Sequence, residues 1–217
     1  MLFTFTLALH AQTNTMINYI PLGDSYTIGT GTTGDKAFPA LLTQHLNAEN
    51  IPVRLVSNPA VNGFTTLDLI AYELSVFLKS NVDFTSLLIG VNDWVQGIDE
   101  KTFADNLSFI LDKVQDHISN KNNIVLITIP DFSVTPQGKN HVRGRNAEAG
   151  IIRFNNIIKQ EAKKRKLAVV DIFELSRAMG TDSSLVADDD LHPSFKEYAR
   201  WEAMIFPVVR EIIKNSK

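Results

Sequence analysis

Four short stretches of this chain carry side chains able to move protons or stabilise a developing charge. Residues 18–31, NYIPLGDSYTIGTG, form an apolar run that stops in Gly23-Asp24-Ser25 and continues in Gly and Thr. Further along lie NPAVNGFTT with Asn62-Gly63, GVNDW from Gly90 to Trp94, and DDDLHPS with Asp188, Asp189, Asp190 and His192. A serine hydroxyl is a weak nucleophile at neutral pH and needs a neighbouring base. Neutral imidazole suits that task, so His192 is the candidate base for Ser25. A carboxylate under the imidazole Nδ1–H fixes its tautomer and stabilises the imidazolium. Asp189, three residues ahead of His192, can reach that position within one turn. Asp188 and Asp190 are alternatives at other offsets, but the spacing favours Asp189, and the outer two read as solvated or loop-capping.

A tetrahedral intermediate also needs donors for its oxyanion. The backbone N–H groups of Ser25 and Gly63 and the side-chain amide of Asn92 can supply three. Gly63 lacks a Cβ and so lets a substrate approach the backbone. Together these residues spell out acyl transfer. Each stretch also has a plain structural meaning. Asn-Gly is a turn signal, GVND can end a strand with Asn92 or Asp93 capping the next segment, and a lone loop histidine is commonly a surface residue. The conjunction decides, because nucleophile, donors and base all follow expected strand ends. Asp24 reads as a turn residue bonding nearby backbone. Tyr26, Phe64, Trp94 and Phe132 read either as walls of a substrate pocket or as ordinary packing.

The elements that must position these residues alternate in period. Near-continuous apolar runs at 17–23, 53–58, 85–90, 123–130 and 168–172 read as parallel strands covered on both faces. Helical spacing marks 38–49, 65–79, 101–117, 145–166 and 194–214, with a threonine cap before the second. This order predicts an α/β chain with right-handed crossovers, a three-layer α/β/α sandwich. In such sheets ligands sit beyond the carboxyl ends of the strands, where the four stretches fall. Residues 131–146 form a long polar loop containing His141, read as a lid or substrate clamp or, equally, as a mobile connector. Asp171, at the end of the last strand, reads as a neighbour of the site or, more commonly, as a simple cap for the segment after it.

Composition narrows the classes further. At 217 residues, with 44% hydrophobic and 21% charged side chains, the chain suits one globular domain. A net charge of −3 with scattered signs argues against a nucleic-acid partner. The absence of cysteine rules out thiol nucleophiles and zinc–thiolate sites. No apolar run approaches the roughly 18 residues of a membrane span. Residues 1–15, MLFTFTLALHAQTNT, read as the remnant of a secretory signal or as a mis-assigned start before Met16. Export to the periplasm or medium is expected on the first reading, and a cytoplasmic protein on the second.

GDSYT at Ser25, Asn62-Gly63, GVND with Asn92 and DDLHPS with Asp189 and His192 resemble, in order, the four signature blocks of the SGNH or GDSL hydrolase superfamily. Position 26 is Tyr where the name motif has Leu. The G-x-S-x-G elbow of the α/β-hydrolases is absent. The resemblance covers residues 16–217 as a single domain. It implies a flavodoxin-like, five-stranded parallel sheet in the order 2-1-3-4-5. It also implies metal-independent, cofactor-free hydrolysis of carboxylic esters or thioesters, lipase/esterase or lysophospholipase-like. The expected partner is a small-molecule, lipid or carbohydrate ester. A carbohydrate acetylesterase or thioesterase remains open on the same site, as does a non-catalytic glycan-binding module on the same scaffold.

Overall fold

The computed structural model describes residues 15–216, so the reading of residues 1–15 falls, except for Thr15, outside the described part. Among the described residues six short strands are present: β1 (Ile17–Tyr19), β2 (Leu22–Gly23), β3 (Val53–Leu55), β4 (Thr85–Leu88), β5 (Ile124–Ile127) and β6 (Ala168–Val170). All pairings are parallel: β1 with β3, β2 with β4, β4 with β5, and β5 with β6. The run expected as one strand over 17–23 is divided between two ladders at Ile20-Pro21. Pro21 has no N–H to donate to a neighbouring strand. The Thr85 hydroxyl donates to the Ile20 carbonyl at 2.6 Å, and a bridge between Tyr19 and Phe84 keeps the two pieces aligned. Counting β1 and β2 as the single run they were read as, the spatial order is the expected 2-1-3-4-5.

The helices are α1 (Ser25–Ile28), α2 (Phe38–Ala48), α3 (Thr66–Asp68), α4 (Leu74–Phe77), α5 (Val91–Gln96), α6 (Glu100–His117), α7 (Gly138–His141), α8 (Ala147–Arg165), α9 (Phe173–Ser176) and α10 (Phe195–Lys214). Helix α2 packs against α10, while α6 packs against α3, α4 and α8, which gives the two outer layers. The periodicity behind them is visible in α6, where Phe103, Leu107, Ile110, Leu111 and Val114 are buried on one side. β5 is buried along its whole length, as a strand covered on both faces must be. Thr65 caps α3 in a reciprocal capping box with Asp68. Between α3 and α4 the chain makes one π-helical turn, Leu69–Glu73, which periodicity alone does not reveal. The loop expected over 131–146 is folded into a 3₁₀ turn at Phe132–Val134 followed by α7.

No helix among the described residues is long and apolar enough to cross a membrane. Because the Thr85 hydroxyl serves a buried carbonyl beside the break in the first strand, Thr85→Val should cost about 1–3 kcal/mol of unfolding free energy. Urea denaturation followed by circular dichroism measures this, and an unchanged midpoint would contradict the role given to that hydroxyl.

Candidate active site

Ser25 is the first residue of α1, immediately past β2. Its turn is held from both sides. Asp24 caps α1 by accepting the Tyr26 N–H at 3.0 Å, and Glu73 accepts the Gly23 N–H at 2.9 Å. Asn58, in the segment after β3, donates its amide to the Thr27 carbonyl at 2.8 Å and anchors α1 from the other flank. The backbone N–H of Ser25 and its hydroxyl carry no hydrogen bond among the described residues.

His192 lies in the segment ahead of α10, which an isolated bridge between Val186 and Pro193 closes into a tight loop. Asp189 grips it three times over. One carboxylate oxygen accepts the backbone N–H groups of Leu191 and His192 at 3.0 and 2.9 Å, and the other lies 2.7 Å from His192 Nδ1. Partial burial pushes the Asp189 pKa upward, but these hydrogen bonds and the facing imidazole outweigh it, and the pKa falls below the usual carboxylate value. Asp189 is therefore ionised at neutral pH and directs the other ring nitrogen away from itself. Gly31, with φ +91°, lets the loop after Ser25 lie flat against this segment. A Cβ there would sit 2.7 Å from both Ala187 Cβ and the Pro193 carbonyl. The sequence offers only TIGTG as a hint of that contact.

The two segments meet. Ser25, Tyr26, Val91, Asn92, Val95, Phe132, His141, Leu191 and His192 line one small cavity of about 70 Å³. Asn92 is in α5, a helix begun at Gly90 directly after β4. Its amide donates one hydrogen to the Phe64 carbonyl at 3.0 Å, which fixes its orientation and leaves the second hydrogen free. Gly63, with φ +82°, is exposed, with open space where a Cβ would be, and is not among the residues that line the cavity. Its N–H is unbonded among the described residues, and its neighbour Asn62 accepts the Thr30 hydroxyl.

The four aromatic residues singled out in the sequence divide. Tyr26 and Phe132 border the cavity, the Tyr26 ring edge-on to His192 at 6.0 Å. Phe64 offers its carbonyl to Asn92 and its ring to Tyr72. Trp94 turns away, seated on Gly150, where a Cβ would come within 1.9 Å of its indole nitrogen, and covered by Arg145. It lines a separate open cavity of about 550 Å³ with Arg145 and Arg153. His141, expected in a loop that clamps substrate or merely connects, borders the Ser25 cavity from α7. Asp171 binds Thr128, the Phe173 N–H and Lys159, the capping role expected of it. Glu73 and Asn58 had no signal in the sequence, because both act on the site from elements read only as packing.

The fold recurs in solved structures. A structure entitled TesA superposes with a TM-score of 0.72 at 21% identity, over 90% of this chain and 99% of that one. A psychrotrophic esterase, EstA from Pseudoalteromonas sp., inhibited by monoethylphosphonate, gives 0.68 at 20% identity over 91% and 98%. Axe2, an acetylxylan esterase from Geobacillus stearothermophilus, gives 0.67 at 18% identity over 91% and 94%. At these identities the likeness is one of architecture, a parallel sheet with helices on both sides. No curated protein matches the chain by sequence. The sequence does match a family description from residue 22 to residue 200, a span that includes β2 and the Ser25 turn, Asn92 and the Asp189–His192 loop. The chain belongs to the GDSL-like lipase/acylhydrolase family.

Proposed function

We propose that the chain is a serine hydrolase of carboxylic esters that works through an acyl-Ser25 intermediate. One observation carries this reading: an Asp189-oriented His192 lines the same small cavity as Ser25 and Asn92. His192 takes the Ser25 proton as Oγ attacks the ester carbonyl. The oxyanion that forms is met by the N–H groups of Ser25 and Gly63 and the free amide hydrogen of Asn92. His192 then protonates the departing alkoxide. In the second half it removes a proton from water, whose hydroxide attacks the acyl group and frees the acid and Ser25. Asp189 stabilises the imidazolium in both halves.

The cavity size supports short acyl groups. At about 70 Å³ it is narrow, bordered by Tyr26, Phe132 and Leu191. So narrow a site favours a short acyl group, and with it a carbohydrate acetyl ester or a simple short-chain ester over a lysophospholipid.

Three outcomes test this. Ser25→Ala should abolish both the burst of p-nitrophenol from p-nitrophenyl acetate and labelling by a fluorophosphonate, and an undiminished burst would refute the acyl-enzyme. Asn92→Ala should lower kcat by 10²–10³-fold, about 3–4 kcal/mol in the barrier, with KM little changed. A loss confined to KM would remove Asn92 from the oxyanion site. Across p-nitrophenyl esters of rising length, kcat/KM should peak at acetate to butyrate and fall beyond, and a rise toward decanoate would contradict the short-acyl assignment.

A further inference from the structure

The cavity bordered by Ser25 and His192 has a second histidine in its wall, and the reaction above gives it no task. His141 is partly buried and borders that cavity from the end of α7. The other described histidines are engaged within the chain. His45 Nδ1 lies 3.0 Å from Glu202 and its ring is stacked on Phe206. His117 Nε2 lies 2.8 Å from the Ser80 carbonyl, and His192 is bonded to Asp189. The His141 ring has no hydrogen bond, ion pair or ring contact with any other described residue. Its backbone is nevertheless well held. Four residues before it, the Gln137 N–H donates to the Asp190 carbonyl at 2.9 Å. Four residues after it, Arg145 donates to the Trp94 and Val95 carbonyls at 2.7 and 2.9 Å. Between them the Gly138 N–H donates to the Thr135 hydroxyl at 3.1 Å, and a Cβ on Gly138 would collide with the Phe132 carbonyl. The chain thus fixes His141 between the Asp189–His192 loop and the helix that carries Asn92, while leaving its ring nitrogens unbonded. In the neutral ring one of those nitrogens is a donor and the other an acceptor. A partly buried polar group of this kind is satisfied by water or by a ligand.

We propose that His141 hydrogen-bonds a hydroxyl on the alcohol side of the ester, so that the substrate is a short acyl ester of a polyol, a carbohydrate acetyl ester being one, rather than of a plain alkyl alcohol. This rests on the acyl transfer and the short acyl group proposed above, and it follows by elimination. The carbonyl oxygen of the ester is met by the N–H groups of Ser25, Gly63 and Asn92, and the ester oxygen receives its proton from His192. A methyl or ethyl acyl chain has no polar atom to offer. Whatever His141 bonds in the substrate therefore belongs to the alcohol. The rest of the wall competes little for that part. Val91, Val95, Phe132 and Leu191 are apolar. Tyr26, whose hydroxyl is the other polar group there without a partner among the described residues, is 3% exposed and packed edge-on to His192 and Trp201. A site built to hydrogen-bond a substrate hydroxyl discriminates against the analogue that lacks it. Because His141 is only partly buried, water can replace the missing hydroxyl, so the discrimination is about tenfold, that of one ordinary hydrogen bond.

Glycerol monoacetate and propyl acetate test this, since they carry the same acyl group on the same carbon chain and differ only in the hydroxyls of the alcohol. For the wild type, kcat/KM should be about tenfold higher for glycerol monoacetate than for propyl acetate. His141→Leu should remove that preference while changing kcat/KM for p-nitrophenyl acetate, whose alcohol has no further hydroxyl, by less than about threefold. His141→Gln, which keeps a donor and an acceptor, should retain most of the preference. His141→Phe, which also lacks a hydrogen-bonding group, gives the same reading if His141→Leu does not fold. Equal kcat/KM for the two acetates in the wild type would overturn the polyol assignment. A preference left intact in His141→Leu, or a loss shared equally by all three esters, would overturn the role of His141. None of these results touches the acyl-Ser25 reading, which stands on Ser25-dependent release of p-nitrophenol. Failure to hydrolyse any of the three esters would bring down that reading and this one together.

Discussion

The first strand belongs to two neighbours at once, and the rest of the site follows from that. Through Ile17–Tyr19 it is bound to β3, and through Leu22–Gly23 to β4, with Pro21 between. Its carboxyl end is thereby fixed at the point where the chain order in the sheet reverses, the place at which parallel α/β sheets open a crevice. The segments after β3 and β4 leave from the strands on either side of Ser25. They carry Phe64 and Asn92, and the Phe64 carbonyl bonded to the Asn92 amide ties the two segments together.

The imidazole comes from the opposite end of the chain and needs its own scaffold. Helix α10 provides it: its core face is seated on the sheet and on α2, and the Tyr198 hydroxyl donates to the Thr30 carbonyl of the loop after Ser25 at 2.9 Å. The Asp189–His192 loop precedes that helix and lies against Gly31. The 131–146 segment closes the ring, with the Gln137 N–H donating to the Asp190 carbonyl at 2.9 Å and Arg145 capping the α5 carbonyls of Trp94 and Val95. What reads as a polar connector is a bracket between the Asp189–His192 loop and the helix carrying Asn92.

The layers and the strand order were legible because burial on both faces leaves apolar runs, and one-sided burial leaves a helical stripe. Ser25 and Asn92 drew attention because they stand just past such runs, and Asp189 and His192 because of their three-residue spacing ahead of the last helix. Short elements were not legible. α1 and α5 have too few residues for any period to register, and the π turn at Leu69–Glu73 shifts the stripe of its helix by one place. Glu73 was hidden by the same shift, since a charged residue within a helical segment reads as solvent-facing. Trp94 follows a strand end like Phe132, yet Gly150, 56 positions later in sequence, supplies the seat that turns it away. Contacts between distant positions of that kind leave no local mark.

The central claim is that Ser25, His192 and three N–H donors surround one carbonyl. A crystal structure of the protein reacted with a short alkyl phosphonate tests it most directly. The account predicts phosphorus bonded to Ser25 Oγ, its oxyanion within hydrogen-bonding distance of the Ser25 and Gly63 amides and the Asn92 side chain, and His192 Nε2 beside the remaining oxygen. A phosphonate attached elsewhere, or attached to Ser25 with its oxyanion facing away from Gly63 and Asn92, would contradict it.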